Sequence, residues 1–306
     1  MDRPVSVTGI TFAAWNQLRA LVVTMRPKQW TKNLILFAGL VFSDDRLLFE
    51  TVPLFRSIIA FAIFCLLSSA VYIMNDLADI EKDRAHPSKR DRPLPSGQLS
   101  PRVAQIALVT LLIAILPGAF ALNVPFGVVA LVYFANNIAY NLVLKHHVLL
   151  DVFSISAGFV LRAIAGAVVI PVRISPWLYV LTLLLALFLS LSKRRHELLL
   201  LEDGRGSHRR VLDDYSPQLL EEMRNIITAS TIIAYALYTF TAPNLPDNHA
   251  MMLTIPFALY GLFRYMYITH DDGGAPPDEL FLRDKPLLIT VVLWGLTAIA
   301  ILYFSP

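Results

Sequence analysis

Long apolar blocks alternate with short polar connections along this chain, and most blocks are long enough to cross a bilayer as a helix. Clear blocks lie at roughly 54–76, 102–122, 125–144, 148–170, 176–192, 222–241, 251–269 and 286–304. A weaker one at about 30–48 is cut short by Asp44, Asp45 and Arg46. About 20 apolar residues span the ~30 Å hydrocarbon core as an α-helix. The pattern therefore predicts an all-α integral membrane protein of about nine transmembrane helices. No polar linker is long enough to separate two soluble domains, so residues 30–306 read as one transmembrane domain. Before it, Phe12, Trp15, Leu18, Val22 and Met25 recur at helical spacing and predict an interfacial helix over 11–25, ended by Arg26-Pro27. Residues 1–29 thus read as an N-terminal interfacial segment.

Composition supports a membrane protein: 56% of the 306 residues are hydrophobic and 16% charged, against about 25% charged in soluble chains. The net charge of +3 does not point to nucleic acid, because the basic residues sit in short loops between spans. With the N-terminus on one side, that segment and the loops at 77–102, 145–147, 193–210 and 270–285 share a face and hold most of the 26 Lys and Arg residues. The opposite loops hold essentially Arg46 and Arg173, with Arg56 at a helix edge. The basic face is expected to be cytoplasmic, which predicts a multi-pass protein of the plasma membrane; a homo-oligomer is compatible with such a bundle. No signal peptide is visible. Cys65, the single cysteine, cannot form an intrachain disulfide. Asp271-Asp272-Gly273-Gly274 with Pro276-Pro277 reads as a turn-rich cytoplasmic loop.

Polar chemistry concentrates where the block at 54–76 runs into YIMNDLADIEKDRAHPSKRDRPLPSG. If the helix continues, Asp76, Asp79 and Asp83 share one face at i, i+3 and i+7. Three neighbouring carboxylates repel one another unless cations neutralise them. Mg²⁺ suits them, since it takes hard oxygen ligands and often binds few carboxylates together with substrate phosphates. Asn75 adds an amide oxygen or donor. His86, Lys89, Arg90 and Arg92 follow, placed for the remaining oxygens of a diphosphate, which Arg can hold in a bidentate fork. Pro87, Pro93, Pro95 and Gly97 stop the helix and predict a fixed loop. Without the basic and proline-rich sequel, a solvated charged helix end would explain the acidic spacing equally well.

The run N-D-x-x-D-x-x-x-D followed by R-P-L-P-S-G resembles the first signature of the UbiA superfamily of intramembrane prenyltransferases. The resemblance covers nearly the whole chain. It implies nine transmembrane helices and a Mg²⁺-diphosphate held by Asp76, Asp79 and Asp83 at the cytoplasmic mouth of a bundle. The ordinary prenyl-diphosphate branch carries a second D-x-x-x-D motif after the sixth span; this chain has Lys193-Arg194-Arg195-His196-Glu197 there, and Asp213-Asp214 lacks the spacing.

Several segments resemble the decaprenyl-phosphate phosphoribosyltransferase branch. They are Met25-Arg26-Pro27-Lys28-Gln29-Trp30-x-Lys32-Asn33, Asp83 to Pro93, Tyr140 with Lys145 and Asp151, Gly158 to Gly166, and Lys193-Arg194-x-x-Glu197. That branch implies transfer of 5-phosphoribose from phosphoribosyl diphosphate (PRPP) to a polyprenyl phosphate. PRPP carries a 5-phosphate besides its diphosphate, and a second basic cluster suits it better than a second acidic one. Lys145, Lys193 and Arg194 are candidate phosphate ligands, although loop cations also enforce topology. Arg162 lies inside an apolar span, where an arginine faces a cavity or a partner; it contacts substrate phosphate or pairs with a buried acid. Asp151 binds metal or ribose hydroxyls, or orients Lys145. Tyr140 bonds a phosphate or anchors at the interface. Glu197 contacts ribose or metal, or pairs with Arg194. His86 positions phosphate or is structural beside Pro87. Two rival readings remain: a prenyltransferase acting on a prenyl diphosphate and an aromatic or other acceptor, and a transporter or lipid-binding protein. The crowding of charge on one membrane face argues against a conduit.

Overall fold

The computed structural model describes residues 7–43, 45–86, 89–173, 175–202, 210–243, 245–270, 280 and 283–304. The expected turn-rich segment at 271–277, together with Asp44 and Pro87, lies outside them. Among the described residues every regular element is helical: α1 Val7–Met25, α2 Ala38–Val41, α3 Thr51–Ala78, α4 Ile80–Arg84, α5 Pro101–Leu122, α6 Val124–Leu142, α7 Leu150–Val169, α8 Pro176–Glu202, α9 Pro217–Thr241, α10 Ile255–Ile268 and α11 Lys285–Phe304, with short 3-10 segments between some of them. Among the described residues seven helices are long and apolar enough to cross a membrane: Thr51–Ala78, Pro101–Leu122, Val124–His146, Leu150–Val169, Pro176–Leu200, Ala250–Ile268 and Lys285–Phe304.

The two other expected spans have a physical reason for falling outside that set. α9 is 25 residues long, but Glu221, Glu222 and Arg224 occupy its early turns. The first block is not a long α-helix: Pro27–Phe37 is 3-10 helix and only Ala38–Val41 is α. Eleven 3-10 residues at ~2.0 Å each and four α residues at ~1.5 Å each still extend roughly 28 Å, close to the hydrocarbon thickness of about 30 Å.

The chain forms two units, residues 1–34 with 58–134, and residues 35–57 with 135–306. In the first, α1 packs Ala20, Leu21 and Met25 against Ile73, Leu94, Leu99 and Ala104. Gln17 ties α1 down twice: its amide nitrogen donates to the Gln98 carbonyl and its oxygen accepts from Ser100 N–H, both at 2.9 Å. Trp15, Leu18, Val22 and Val23 stay exposed, as expected of a helix lying in a membrane interface. Asn123 alone separates α5 from α6, and the turn brings Gly127 so close to Phe120 that a Cβ would lie 2.5 Å from its ring.

In the second unit, α7 approaches α2 and the end of the 3-10 segment before it at two glycines. A Cβ on Gly166 would lie 1.9 Å from the Leu36 carbonyl oxygen, and one on Gly39 would lie 3.0 Å from Ala167 Cα. α7, α8 and the segment before α9 share an apolar core of Val152, Leu187, Leu191, Leu198, Leu212, Tyr215 and Leu220. Ser216 caps α9 by accepting the Leu219 N–H. At α11 the Asp284 carboxylate accepts the Leu287 N–H at 2.8 Å and pairs with Arg264 on α10.

Candidate functional site

The acidic motif lies in the first unit. α3 is 28 residues long, about 42 Å, so it carries its last turns past the thickness of a hydrocarbon core. It ends at Ala78, and Asp79 forms a turn before α4. The i to i−4 pattern nevertheless continues, with Asp79 N–H donating to Asn75 O at 3.0 Å and Asp83 N–H to Asp79 O at 2.8 Å. Asp76 and Asp83 therefore stay together, as the spacing predicts: both are buried, and Arg92 bridges them, 3.4 Å from Asp76 Oδ1 and 2.7 Å from Asp83 Oδ2. Lys89 stands 3.9 Å from Asp83. Asp79 is half-buried and lies 3.6 Å from Lys82.

Arg92 is fixed by the loop after it. Leu99 N–H donates to Pro93 O, Ser96 N–H to Arg92 O, and Arg84 Nε to Pro95 O. Leu94 and Leu99 are buried, and Gly97 supplies a φ of +79° that few other residues adopt. A fifth cation belongs here that spacing did not reveal. Arg26 sits 2.5 Å from Asp76 Oδ1 and 4.8 Å from the Tyr72 ring centre. Its own φ is +53°, the left-handed turn that ends α1. Burial, and next Lys89, push the His86 imidazole below its ordinary pKa, which favours its neutral form.

Among the described residues no three carboxylate, imidazole or thiol groups form a metal cage of their own. The donor set still fits a hard divalent cation. Asp76 and Asp83 supply buried carboxylates, and Asn75 Oδ1 is a buried oxygen with no hydrogen-bond partner. Such an oxygen is costly to bury unsatisfied, and a cation or a ligand donor would satisfy it. A site with few protein oxygens suits a metal that arrives with substrate phosphates.

The second polar group lies in the second unit. Arg194, only 2% exposed, is held on three sides: Nε lies 2.7 Å from Asp151 Oδ2, Nη1 donates to Glu197, and Nη2 donates to Tyr140 Oη at 3.3 Å. Asp151 is fully buried and also accepts from the Tyr215 hydroxyl. In the structure Glu197 pairs with Arg194, Asp151 takes Arg194 and Tyr215, and Lys145 donates to Asn141 Oδ1 at 2.7 Å. Lys193, one residue before Arg194 on α8, is half-buried. Arg162 lies eleven residues beyond Asp151 on α7, about 16 Å along the axis. It is buried, donates to Gly158 O at 3.0 Å and stacks over Phe159. Tyr215 was absent from the sequence reading, and Arg26 stood in it without a site role. The partners of Tyr215 are 64 and 66 residues away, a separation that no local spacing reveals.

The description of the UbiA prenyltransferase family matches residues 34–289, most of the chain. The chain belongs to the UbiA prenyltransferase family. Within the family it is similar to the decaprenyl-phosphate phosphoribosyltransferase of Mycolicibacterium smegmatis, 31% identical over 95% of this chain and 94% of the relative. The enzymes of that name from Mycobacterium tuberculosis and Corynebacterium glutamicum are also 31% identical over 95% of this chain, and 96% and 89% of theirs. The fold matches a UbiA homolog from Archaeoglobus fulgidus bound to DMAPP and Mg²⁺, with a TM-score of 0.70 at 18% identity over 93% of this chain and 99% of that one. A digeranylgeranylglyceryl phosphate synthase gives 0.66 at 17% identity over 94% and 98%. This UbiA chain is a multi-pass membrane protein and a prenyl-phosphate transferase, and the Archaeoglobus homolog is also solved bound to GPP and Mg²⁺.

Proposed function

We propose that this chain transfers 5-phosphoribose from PRPP to a polyprenyl phosphate of the decaprenyl type, releasing diphosphate, at the cytoplasmic face of the plasma membrane. Similarity over almost the whole length to enzymes named for that transfer carries the reading. The basic Lys193–Arg195 run, where other branches place a second acidic motif, supports it.

Asp76 and Asp83, with Asp79 and Asn75 beside them, would hold Mg²⁺. A metal held there would supply Lewis-acid charge neutralisation to the departing diphosphate. Arg26, Lys89 and Arg92 already stand beside these carboxylates and bind the diphosphate oxygens that the ion leaves over. Lys145 and Lys193 serve the 5-phosphate. The C1–O bond to diphosphate breaks as an oxygen of the acceptor phosphate bonds to C1, with inversion. That phosphate monoester has a second pKa of about 6, so it attacks as a dianion and needs no strong general base.

The test is purified protein in lipid nanodiscs, given labelled PRPP and polyprenyl phosphate, beside reactions with prenyl diphosphates and aromatic acceptors. Phosphoribosyl lipid and released diphosphate are expected from the first pair. Prenyl transfer without phosphoribosyl transfer would overturn the reading.

A further inference from the structure

The chain of buried contacts that ends at Glu197 starts at Tyr215. This ring packs in the core with Val152, Leu187, Leu191 and Leu220, and its hydroxyl closes two needs at once. It accepts the Leu149 N–H at 2.7 Å and donates to Asp151 Oδ1 at 3.0 Å. Leu149 stands at the N-cap of α7 with φ +66° and no side-chain cap, a conformation that an L-residue holds only when its surroundings enforce it. Burial pushes the Tyr215 hydroxyl up to about 12, so it keeps the proton that it gives Asp151.

From Asp151 the contacts run to Arg194 and then to Glu197. Side-chain exposure is 1% at Asp151, 2% at Arg194 and 23% at Glu197. Only the last member has a surface that a solute reaches. The Asp151 carboxylate holds Arg194 by charge, its Oδ2 2.7 Å from Nε without hydrogen-bond alignment, and the rigid planar guanidinium carries that placement to Nη1, which donates to Glu197.

We propose that Tyr215 is a positioning residue: by closing Leu149 N–H and Asp151 together it sets Arg194, and through Arg194 it aims Glu197 at the ribosyl hydroxyls of the donor. This rests on the PRPP reading. A carboxylate accepts hydrogen bonds from adjacent hydroxyls, whereas the phosphates of the donor would be repelled by it.

Tyr215→Phe keeps the ring and deletes the hydroxyl. In nanodisc-embedded enzyme it is expected to raise KM for PRPP by about tenfold, the scale of one lost hydrogen bond, with kcat and the KM for polyprenyl phosphate near wild type. Glu197→Gln should show the same split, and the double variant should be no worse than the worse single one, because both act through one chain. A tyrosine that merely supports the fold would lower kcat without moving the PRPP KM, and its effect would multiply with that of Glu197→Gln; either result overturns the proposal. If wild type transfers prenyl groups and not phosphoribose, the ribosyl assignment falls with the PRPP reading. The link from Tyr215 to Glu197 is then read from the melting of the same four ligand-free proteins, where additive shifts overturn it and a double variant melting no lower than the worse single one upholds it.

Discussion

Gly166 leaves no room for a methyl group, because the nearest atoms to its missing Cβ are the carbonyl oxygen and carbon of Leu36, at 1.9 and 2.6 Å. Backbone atoms cannot swing aside as a side-chain tip does. Gly166→Ala should therefore cost about 1–3 kcal/mol of stability or more, read as a lower melting temperature in nanodiscs. Gly295→Ala is the control: nothing lies within 4 Å of that position on α11, and alanine there should be neutral or stabilising by up to ~1 kcal/mol. Arg92 is equally specific in its chemistry. Its Nη1 touches both Asp76 and Asp83, which leaves the other guanidinium donors for phosphate oxygens, and the point charge of a lysine does not supply that planar set. Arg92→Lys should cut transfer at least tenfold, and Asp76→Asn at least about a hundredfold, with unchanged expression and melting. The sequence makes such residues legible because a carboxylate or guanidinium interrupting apolar sequence is costly and has few explanations. Arg26 was read as a helix stop and as part of the Met25–Asn33 resemblance, without a partner, since Pro27 explains its position. Tyr215 gave no signal at all, because a tyrosine in the polar run Asp213-Asp214-Tyr215-Ser216-Pro217 is an ordinary loop residue until its distant partners are known.

Helices with uniform apolar composition were legible to within a few residues: α5, α6, α7 and α11 follow the expected blocks closely. The block at 30–48 was not, because hydropathy reports burial and not helix pitch. Contact of Leu36 and Gly39 with α7 accompanies the 3-10 geometry, and that geometry lets fewer residues cover a similar distance. The start of α11 was also placed correctly, but its anchor was invisible. The hydrogen bonds from Arg264 hold Asp284 below the usual carboxylate range, against the opposing effect of burial, and the Leu287 N–H adds to them. A carboxylate whose folded pKa is depressed contributes stability above its unfolded value, about 4, and loses it as pH falls through the folded value. Asp284→Asn should thus melt below wild type at pH 7, and the gap should close as pH falls below about 4. A gap that persists unchanged in acid would show that Asp284 works by shape and not by charge.

Lysine and arginine decide how the whole chain lies in its membrane. Lys82, Arg84, Lys89, Arg90 and Arg92 follow one span, while Lys145 and Lys193 to Arg195 lie toward the ends of two others and Arg46 and Arg173 are nearly alone in the opposite loops. Charge asymmetry of this kind predicts that the basic loops face the cytoplasm. The proposed donor is a water-soluble polyanion that does not cross a bilayer, whereas the proposed acceptor is a lipid already present in it. The two substrates therefore predict different dependence on sidedness. In sealed vesicles with the basic loops outward, added PRPP should be consumed without permeabilisation. In vesicles of the opposite orientation, turnover should appear only after detergent or a pore opens them, although both hold the same polyprenyl phosphate. Chelating divalent cations should abolish turnover in the first vesicles, and Mg²⁺ should restore it, because Asp76 and Asp83 by themselves repel the diphosphate that the ion joins to them. Equal turnover in both intact preparations would place the donor site on no particular side, and would remove the positive-inside argument for where the acidic motif meets its substrate.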